Sequence, residues 1–523
     1  MNYFIAGILK IVILEASAAL AIIDRLVGTE KDSKWSKERR NGWIAIAGLS
    51  LLAFFNFGNA RGGGGMVHYW EQFHFYMGTK YLKEVNSFDL YKAALIADRE
   101  TVNRVAGLQT IREIHTFEQI PVAQALSETP RIKAQFTPER WEAFKADWIE
   151  WTRMPVDWNG VLNDHGNSNS PAWAIIATPL ANLLPLNHGS LVFIASLDMA
   201  LLAAMLFMLY RTFGVRAASI FVVLWSCTPL LFDYLAGSFL RWDWIFALTL
   251  SACFLKQKRY ALAGGFLGYA IGTKLFPLFF GVAFAVQALI ETVRTKKLQR
   301  KYIRFAAGVF GTYAALALVS SVMFGPRIWV DYKDRIEVAQ QEKFYGIQYS
   351  LRTVFLQVAE STPSELANGW FFPGEIKQAR ADVNLSDHRV SFFLVQLLFT
   401  ALIFAMAART DEVSAFTLGS LLVYVWLVVN MYYWEMLALT AVGFALRRDK
   451  LSIPGLIWLH FNFALLYFYQ HTRHGYAEGY VVALFIAVGV VAIGGREAYS
   501  LYREKWRPTN APTPREAAPL ASK

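Results

Sequence analysis

The stretch "GGFLGYAIGTKLFPLFF", Gly264 to Phe280, holds a single charge, Lys274, with Pro277 just beyond it. Apolar runs extend to either side, over 260–273 and 275–290, and each ends in a basic cluster, Lys256 to Arg259 before and Arg294 to Arg304 after. An ammonium group is costly inside hydrocarbon and a proline interrupts a helix, so the stretch reads as two helices joined at a turn that carries Lys274. Basic residues beside membrane segments stay on the cytoplasmic side. The two clusters therefore share that side, and Lys274 faces the opposite one. A chain built from such pairs is an all-α polytopic membrane protein.

The rest of the 523 residues agrees, with 55% hydrophobic, 15% aromatic and only 17% charged, a balance foreign to a string of soluble domains. A formal charge of +11 raises the question of nucleic acid. The basic residues, however, stand beside apolar runs, as in "KWSKERR" from Lys34 to Arg40, which is topology and not a polyanion site. Cys227 and Cys253 both fall in apolar runs, so neither a disulfide framework nor a thiolate metal site is expected. The first apolar run, Tyr3 to Ile23, has no basic region before it and no small-residue cleavage site, and reads as a retained helix.

A crossing helix needs roughly 20 apolar residues, fewer where neighbours shelter it. The expected spans are 3–25, 42–59, 190–210, 217–233, 241–255, 260–273, 275–290, 304–324, 389–407, 414–431, 433–446, 452–469 and 477–494. About thirteen crossings put every basic connection on one face and two long hydrophilic segments on the other. The expected division is membrane helices over 1–59, a first outer loop over 60–189, membrane helices over 190–324, a second outer loop over 325–388, membrane helices over 389–494 and a disordered cytoplasmic tail over 495–523. Aromatic residues recur in both loops (Trp70, Trp141, Trp148, Trp151, Trp158, Trp329, Tyr332), which predicts folded layers on the membrane surface. "PAWAIIATPLANLLP", Pro171 to Pro185, is short and bounded by proline, and reads as a re-entrant or interfacial helix.

The polar clusters sit where the outer turns and loops fall. In "HYWEQFHFYMGTKYL", His68 to Leu82, helical spacing sets His68, Glu71 and His74 or Phe75 one above another. A carboxylate between two imidazoles suits a base with sugar contacts; the plain alternative is an interfacial pairing of Glu71 with a nearby Lys or His. "DWNGVLNDHGNSNSP", Asp157 to Pro171, is rich in turn formers, and it offers Asp164 and His165 as contacts to hydroxyls, with Asp164 the second candidate for the base. Arg241 and Asp243 stand at the outer end of a hairpin, where charges also simply snorkel or pair. Lys274 suits a phosphate or pyrophosphate, or else lipid headgroups. In "FYGIQYSLRTVF", Phe344 to Phe355, Gln348 and Tyr349 offer hydrogen bonds to sugar hydroxyls and Arg352 a fork of donors for phosphate; an ordinary interfacial helix explains the stretch equally well. Glu435 is a further outer acid.

No P-loop, GxSxG, HExxH or CxxC signature occurs. Neither outer loop has an Asp-x-Asp pair, and Asp331 and Asp334 are spaced differently, so no metal and no cofactor is expected.

At these residues the chain resembles the GT-C superfamily of integral-membrane glycosyltransferases, in particular the family 87 group that includes polyprenyl-phosphate-mannose-dependent mannosyltransferases. The likeness covers most of 42–450 in four short motifs. Glu71, Phe75, Tyr76 and Asp89-Leu90-Tyr91 echo a first-loop acid, paired aromatics and "DLY"; Pro171 matches a proline at the re-entry. Gly237, Ala263, Gly264, Gly268, Lys274 and Pro277 follow a glycine-rich pattern, and "GIQYSL", Gly346 to Leu351, looks like a "GNQSL" element. The family's first-loop acid is usually Asp where Glu71 stands, and Ile347 replaces an Asn.

The resemblance implies a GT-C-like bundle with two long non-cytoplasmic loops, and inverting transfer of a hexose, mannose among the candidates, from a polyprenyl-phosphate donor to a lipid or glycan acceptor. It implies work at the outer face of a bacterial inner membrane, among membrane lipids and without nucleic acid. Glu71 is then the base and Lys274, Arg241 and Arg352 hold the donor phosphate, with His68, His74, His165, Gln348 and Tyr349 around sugar or acceptor. The rival readings are an envelope polysaccharide ligase or polymerase, which also joins a lipid-linked sugar to an outer loop, and a transporter or flippase, for which inverted repeats would be the sign.

Overall fold

The computed structural model describes residues 3–27, 36–55, 57, 66–166, 169–228, 236–341, 348–360, 387–447, 449–471 and 475–505. The glycine run Gly62 to Gly65, the Gly346-Ile347 part of the fourth motif and the tail from Arg507 lie outside them. Helices dominate, and the strands form two short antiparallel pairs, Thr110–Arg112 with Gln119–Pro121 and Gln348–Tyr349 with Val429–Asn430.

Six helices are long and apolar enough to cross a membrane: Ile5–Val27, His188–Ser226, Leu278–Thr295, Arg300–Phe324, Arg389–Ala408 and Val481–Glu504. Shorter apolar helices, Glu412–Trp426, Tyr433–Leu446 and Ser452–Leu465, stand with them. The expected run over 190–210 and the described part of that over 217–233 lie on either side of a break at Gly214, whose φ of 81° and ψ of 177° no helix accommodates. The fold is thus an all-α membrane fold. Length and apolarity mark fewer crossings, among the described residues, than the thirteen expected from pattern.

The run that opened the sequence reading forms the helices Tyr260–Thr273 and Leu278–Thr295, with Lys274 extended between them and Pro277 leading into the second. Glycine lets the first of these approach Arg300–Phe324 closely. A Cβ on Gly264 would stand 1.9 Å from the Phe305 carbonyl oxygen, and one on Gly308 would stand 2.2 Å from that of Ala261. Membrane helices gain little from apolar burial against one another, so backbone proximity of this kind is what holds them. At the far end from Lys274, Lys301 bridges Glu291 at 2.6 Å and Glu412 at 2.8 Å, tying three helices where the basic clusters begin.

Residues 66–166 and 169–187 build a layer of short helices with its own core, in which Phe73 meets Trp148, Trp151 and Trp158 edge to face. Buried charges there are matched: Lys92 reaches Glu113 at 2.5 Å and Glu128 at 2.6 Å, and Arg131 grips Asp89 with two bonds of 2.9 and 2.8 Å. The proline-bounded stretch forms the helix Pro171–Leu183, started by Ser170, whose hydroxyl accepts from the Trp173 N–H, and it packs on Arg300–Phe324 and Tyr260–Thr273.

Candidate active site

The layer is fastened to the membrane body by bonds to main-chain carbonyls. The His68 N–H donates to the Gly237 carbonyl at 2.8 Å, and the buried Gln72 amide donates to the same carbonyl at 2.9 Å and to that of Leu191 at 3.0 Å. Gly237 has φ of 78°, and a Cβ there would fall 2.0 Å from the Met66 carbonyl oxygen, so only glycine fits. This fastening sets Glu71, on the short helix Tyr69–Gln72, against Arg241, just before the helix Asp243–Lys256. The two side chains form an ion pair, with 22% and 12% of their surfaces exposed. His68 caps the Glu71 helix: its Nδ1 accepts from the Glu71 N–H at 3.2 Å.

Further charges gather around this pair. The Lys274 ammonium donates to the Asn169 side-chain oxygen at 3.0 Å and feels the charges of Asp243, Arg241 and Glu71. Asp243 accepts from the Tyr269 hydroxyl at 2.9 Å. Asp198, fully buried on His188–Ser226, accepts from the Trp242 N–H at 3.2 Å and lies within the field of Arg241 and Glu71. Glu435 closes the group electrostatically from beside the helix Met436–Leu446. The strand pair Gln348–Tyr349 with Val429–Asn430 brings the backbone just before the helix Leu351–Glu360 to within a few residues of Glu435.

Burial pushes the Glu71 carboxyl up, but Arg241 foremost and then His68 outweigh it, and its pKa lies below the ordinary glutamate value. The group is therefore ionised at neutral pH. Burial pulls the Lys274 ammonium down to about 8, with Asp243 pulling the other way. The cluster thus offers a carboxylate able to accept a proton beside two cations able to hold an anion.

The other residues picked from sequence are placed differently. Asp164 accepts from the Trp70 indole N–H at 2.8 Å and stands 3.4 Å from the His165 ring; burial raises its carboxyl, but His165, His74 and Trp70 hold it well below the ordinary aspartate range. His74 lies in a π-helical turn, Phe73–Met77, and still feels the charge of Glu71. Its Nε2 lies 2.7 Å from the Tyr91 hydroxyl and its ring is buried, which lowers its pKa. His165 turns its ring edge to Phe117 while its carbonyl accepts from Arg335. Arg352 is half-buried on Leu351–Glu360, a helix packed on Gly475–Lys505, Gly419–Trp426 and Arg389–Ala408. Gln348 and Tyr349 enter through their backbone pairing with Asn430 and Val429.

Sequence reasoning passed over Asp198 and Asn169. The first stands out only as a lone acid in "LVFIASLDMALLAAM"; the second was hidden in a stretch that any turn would explain.

Fold and site together define an integral membrane protein with a half-buried charged centre where its long helices meet a layer of short ones. The chain belongs to glycosyltransferase family 87, whose profile matches residues 168–430, and is thus a membrane glycosyltransferase. No curated protein and no solved structure matches it. The matched span holds Asn169, Arg241, Lys274 and Arg352; Glu71, His68, His74 and Asp164 precede it.

Proposed function

We propose that this glycosyltransferase moves a hexose, mannose being the first candidate, from a polyprenyl-phosphate donor to a lipid or glycan acceptor, with inversion, at the outer face of a bacterial inner membrane. The observation that carries the reading is the Glu71–Arg241 ion pair within the field of Lys274. An acceptor hydroxyl needs a base within hydrogen-bond reach, the role of Glu71. As the acceptor oxygen bonds to the anomeric carbon, the bond from that carbon to the phosphate oxygen breaks, its electron pair stays on the phosphate, and the hydroxyl proton passes to Glu71. The leaving phosphate is already anionic and needs cations in place of an acid, the role of Lys274 and Arg241. Arg352 serves the same phosphate from the second outer segment, and Asp164 holds Trp70 and His165 in place.

The outer location is supported by helix direction. Tyr260–Thr273 leaves the basic stretch ending at Arg259 and arrives at Lys274, and Leu278–Thr295 returns toward Arg294. A lipid donor fits such a site, since its chain remains in the bilayer while its head reaches the charges. The test is reconstitution of the full chain in liposomes with a panel of labelled polyprenyl-phosphate hexoses. Transfer of label with release of polyprenyl phosphate is expected; transfer only from lipid-diphosphate oligosaccharides would assign a ligase or polymerase instead.

A further inference from the structure

Arg241 lies in a short segment, Gly237 to Trp242, that leads into the helix Asp243–Lys256. Two of its residues hold left-handed backbone, Gly237 with φ of 78° and Leu240 with φ of 47°. Leucine keeps that conformation only where its surroundings impose it. The segment is held from outside at three points. The Gly237 carbonyl takes the bonds from His68 and Gln72, and the Leu240 carbonyl accepts from the Trp173 indole at 3.3 Å. At the far end, directly after Arg241, the Trp242 N–H donates to the Asp198 carboxylate at 3.2 Å.

That last bond supplies what the local sequence lacks. Trp242 is the N-cap of its helix, and in a capping box the N-cap N–H is taken by a Glu or Gln three residues on. Ile245 stands there and cannot accept it. Asp198 does so from another helix, and its charge suits the positive end of Asp243–Lys256. Leu191, whose carbonyl accepts from Gln72, lies seven residues before Asp198 on His188–Ser226. The two positions therefore share a helix face and stand two turns, about 10 Å, apart. One face of one helix thus grips the neighbour of Glu71 at one level and the neighbour of Arg241 at the next. Asp198 is fully buried in an apolar run, where an acid is costly and marks function.

We propose that Asp198 is a positioning residue of the transfer: through the Trp242 N–H it sets Arg241 where the guanidinium meets Glu71 and, in turn, the donor phosphate. The inference rests on the glycosyl-transfer reading for the phosphate and adds the residue that aims the cation. Asp198 acts on the reaction only through Arg241.

The test compares two variants of the full-length protein. Asp198→Leu removes the acceptor and suits an apolar run, while Asp198→Asn keeps an oxygen for the Trp242 N–H. Each is combined with Glu71→Gln, with Arg241→Gln and with both, and the melting temperatures give the coupling between Glu71 and Arg241. The coupling should vanish in Asp198→Leu and persist in Asp198→Asn. Loss of a helix cap alone would lower all four melting temperatures together and leave the coupling unchanged; that result would overturn the proposal. Coupling lost in Asp198→Asn would overturn it too, and this arm decides if Asp198→Leu does not fold. Equilibrium binding of polyprenyl phosphate to the protein in nanodiscs is the second readout. Asp198→Leu should weaken it about tenfold, as for one lost charge-assisted hydrogen bond, and have no effect on top of Arg241→Gln. Equal weakening in both backgrounds would refute action through Arg241. A wild-type protein that binds no polyprenyl phosphate would remove the donor reading, with the melting cycle still deciding what places Arg241.

Discussion

Replacing Glu71 by Gln separates two roles that the ion pair with Arg241 combines. The carboxamide keeps the size of the side chain and leaves intact the bond from the Glu71 N–H to His68. It abolishes proton acceptance. A general base contributes roughly 10²- to 10⁴-fold, so kcat should fall by that factor, about 3–5 kcal/mol of barrier. Loss of the ion pair acts on stability instead: removing one partner of a buried pair costs about 3–5 kcal/mol. Here the cost should lie at or below the lower end, because both side chains keep some exposure and Arg241 still faces Asp198 and Glu435. The assay is a double-mutant cycle with Arg241→Gln, read by single-turnover transfer and by thermal melting of the purified protein. If Glu71 is base and Arg241 is phosphate ligand, Glu71→Gln lowers kcat, Arg241→Gln raises donor KM, and the double variant is worse than either. If the pair is only structural, the double variant is no worse than the singles in rate and recovers part of the melting temperature. A Glu71→Gln protein that folds and keeps kcat within about threefold would refute the base assignment.

The Lys274 ammonium, with its pKa drawn down to about 8, is charged below that pH and neutral above it, so donor binding should weaken as pH rises through about 8. Lys274→Arg should move this alkaline limb upward, and a limb that stays put in the variant would exclude Lys274 as its source. Gly237→Ala forces a methyl against the Met66 carbonyl and a left-handed φ onto alanine. The backbone term alone is about 1–3 kcal/mol, so a marked drop in melting temperature is expected, and a melt equal to wild type would show that the fastening is not as described.

The membrane character was legible because a span must satisfy its own backbone and clothe it in apolar side chains, which leaves long unbroken runs in the sequence. Lys274 was legible for the converse reason, a charge where hydrocarbon tolerates none. What pattern could not show was which distant residues meet. Glu71 and Arg241 are 170 positions apart, and their contact depends on a main-chain bond from His68 to Gly237 that no side-chain periodicity records. Helical spacing set His74 near Glu71, whose charge it does feel, but spacing gave no sign of the Tyr91 hydroxyl that its Nε2 meets. The count of crossings was hard to read for a related reason: Asp243–Lys256 and Tyr260–Thr273 are each too short to span alone, and only their packing shows that neighbours shelter them.

The carbonyl of Gly237 serves two donors from the outer layer, a peptide N–H and the Gln72 amide. Registration between layer and membrane body is thereby set by one carbonyl, at a position only glycine can hold, and by one buried side-chain amide. A change elsewhere in the layer that spares these bonds should therefore leave Glu71 facing Arg241, because the seat that sets their contact lies at Gly237 and not in the layer's own core.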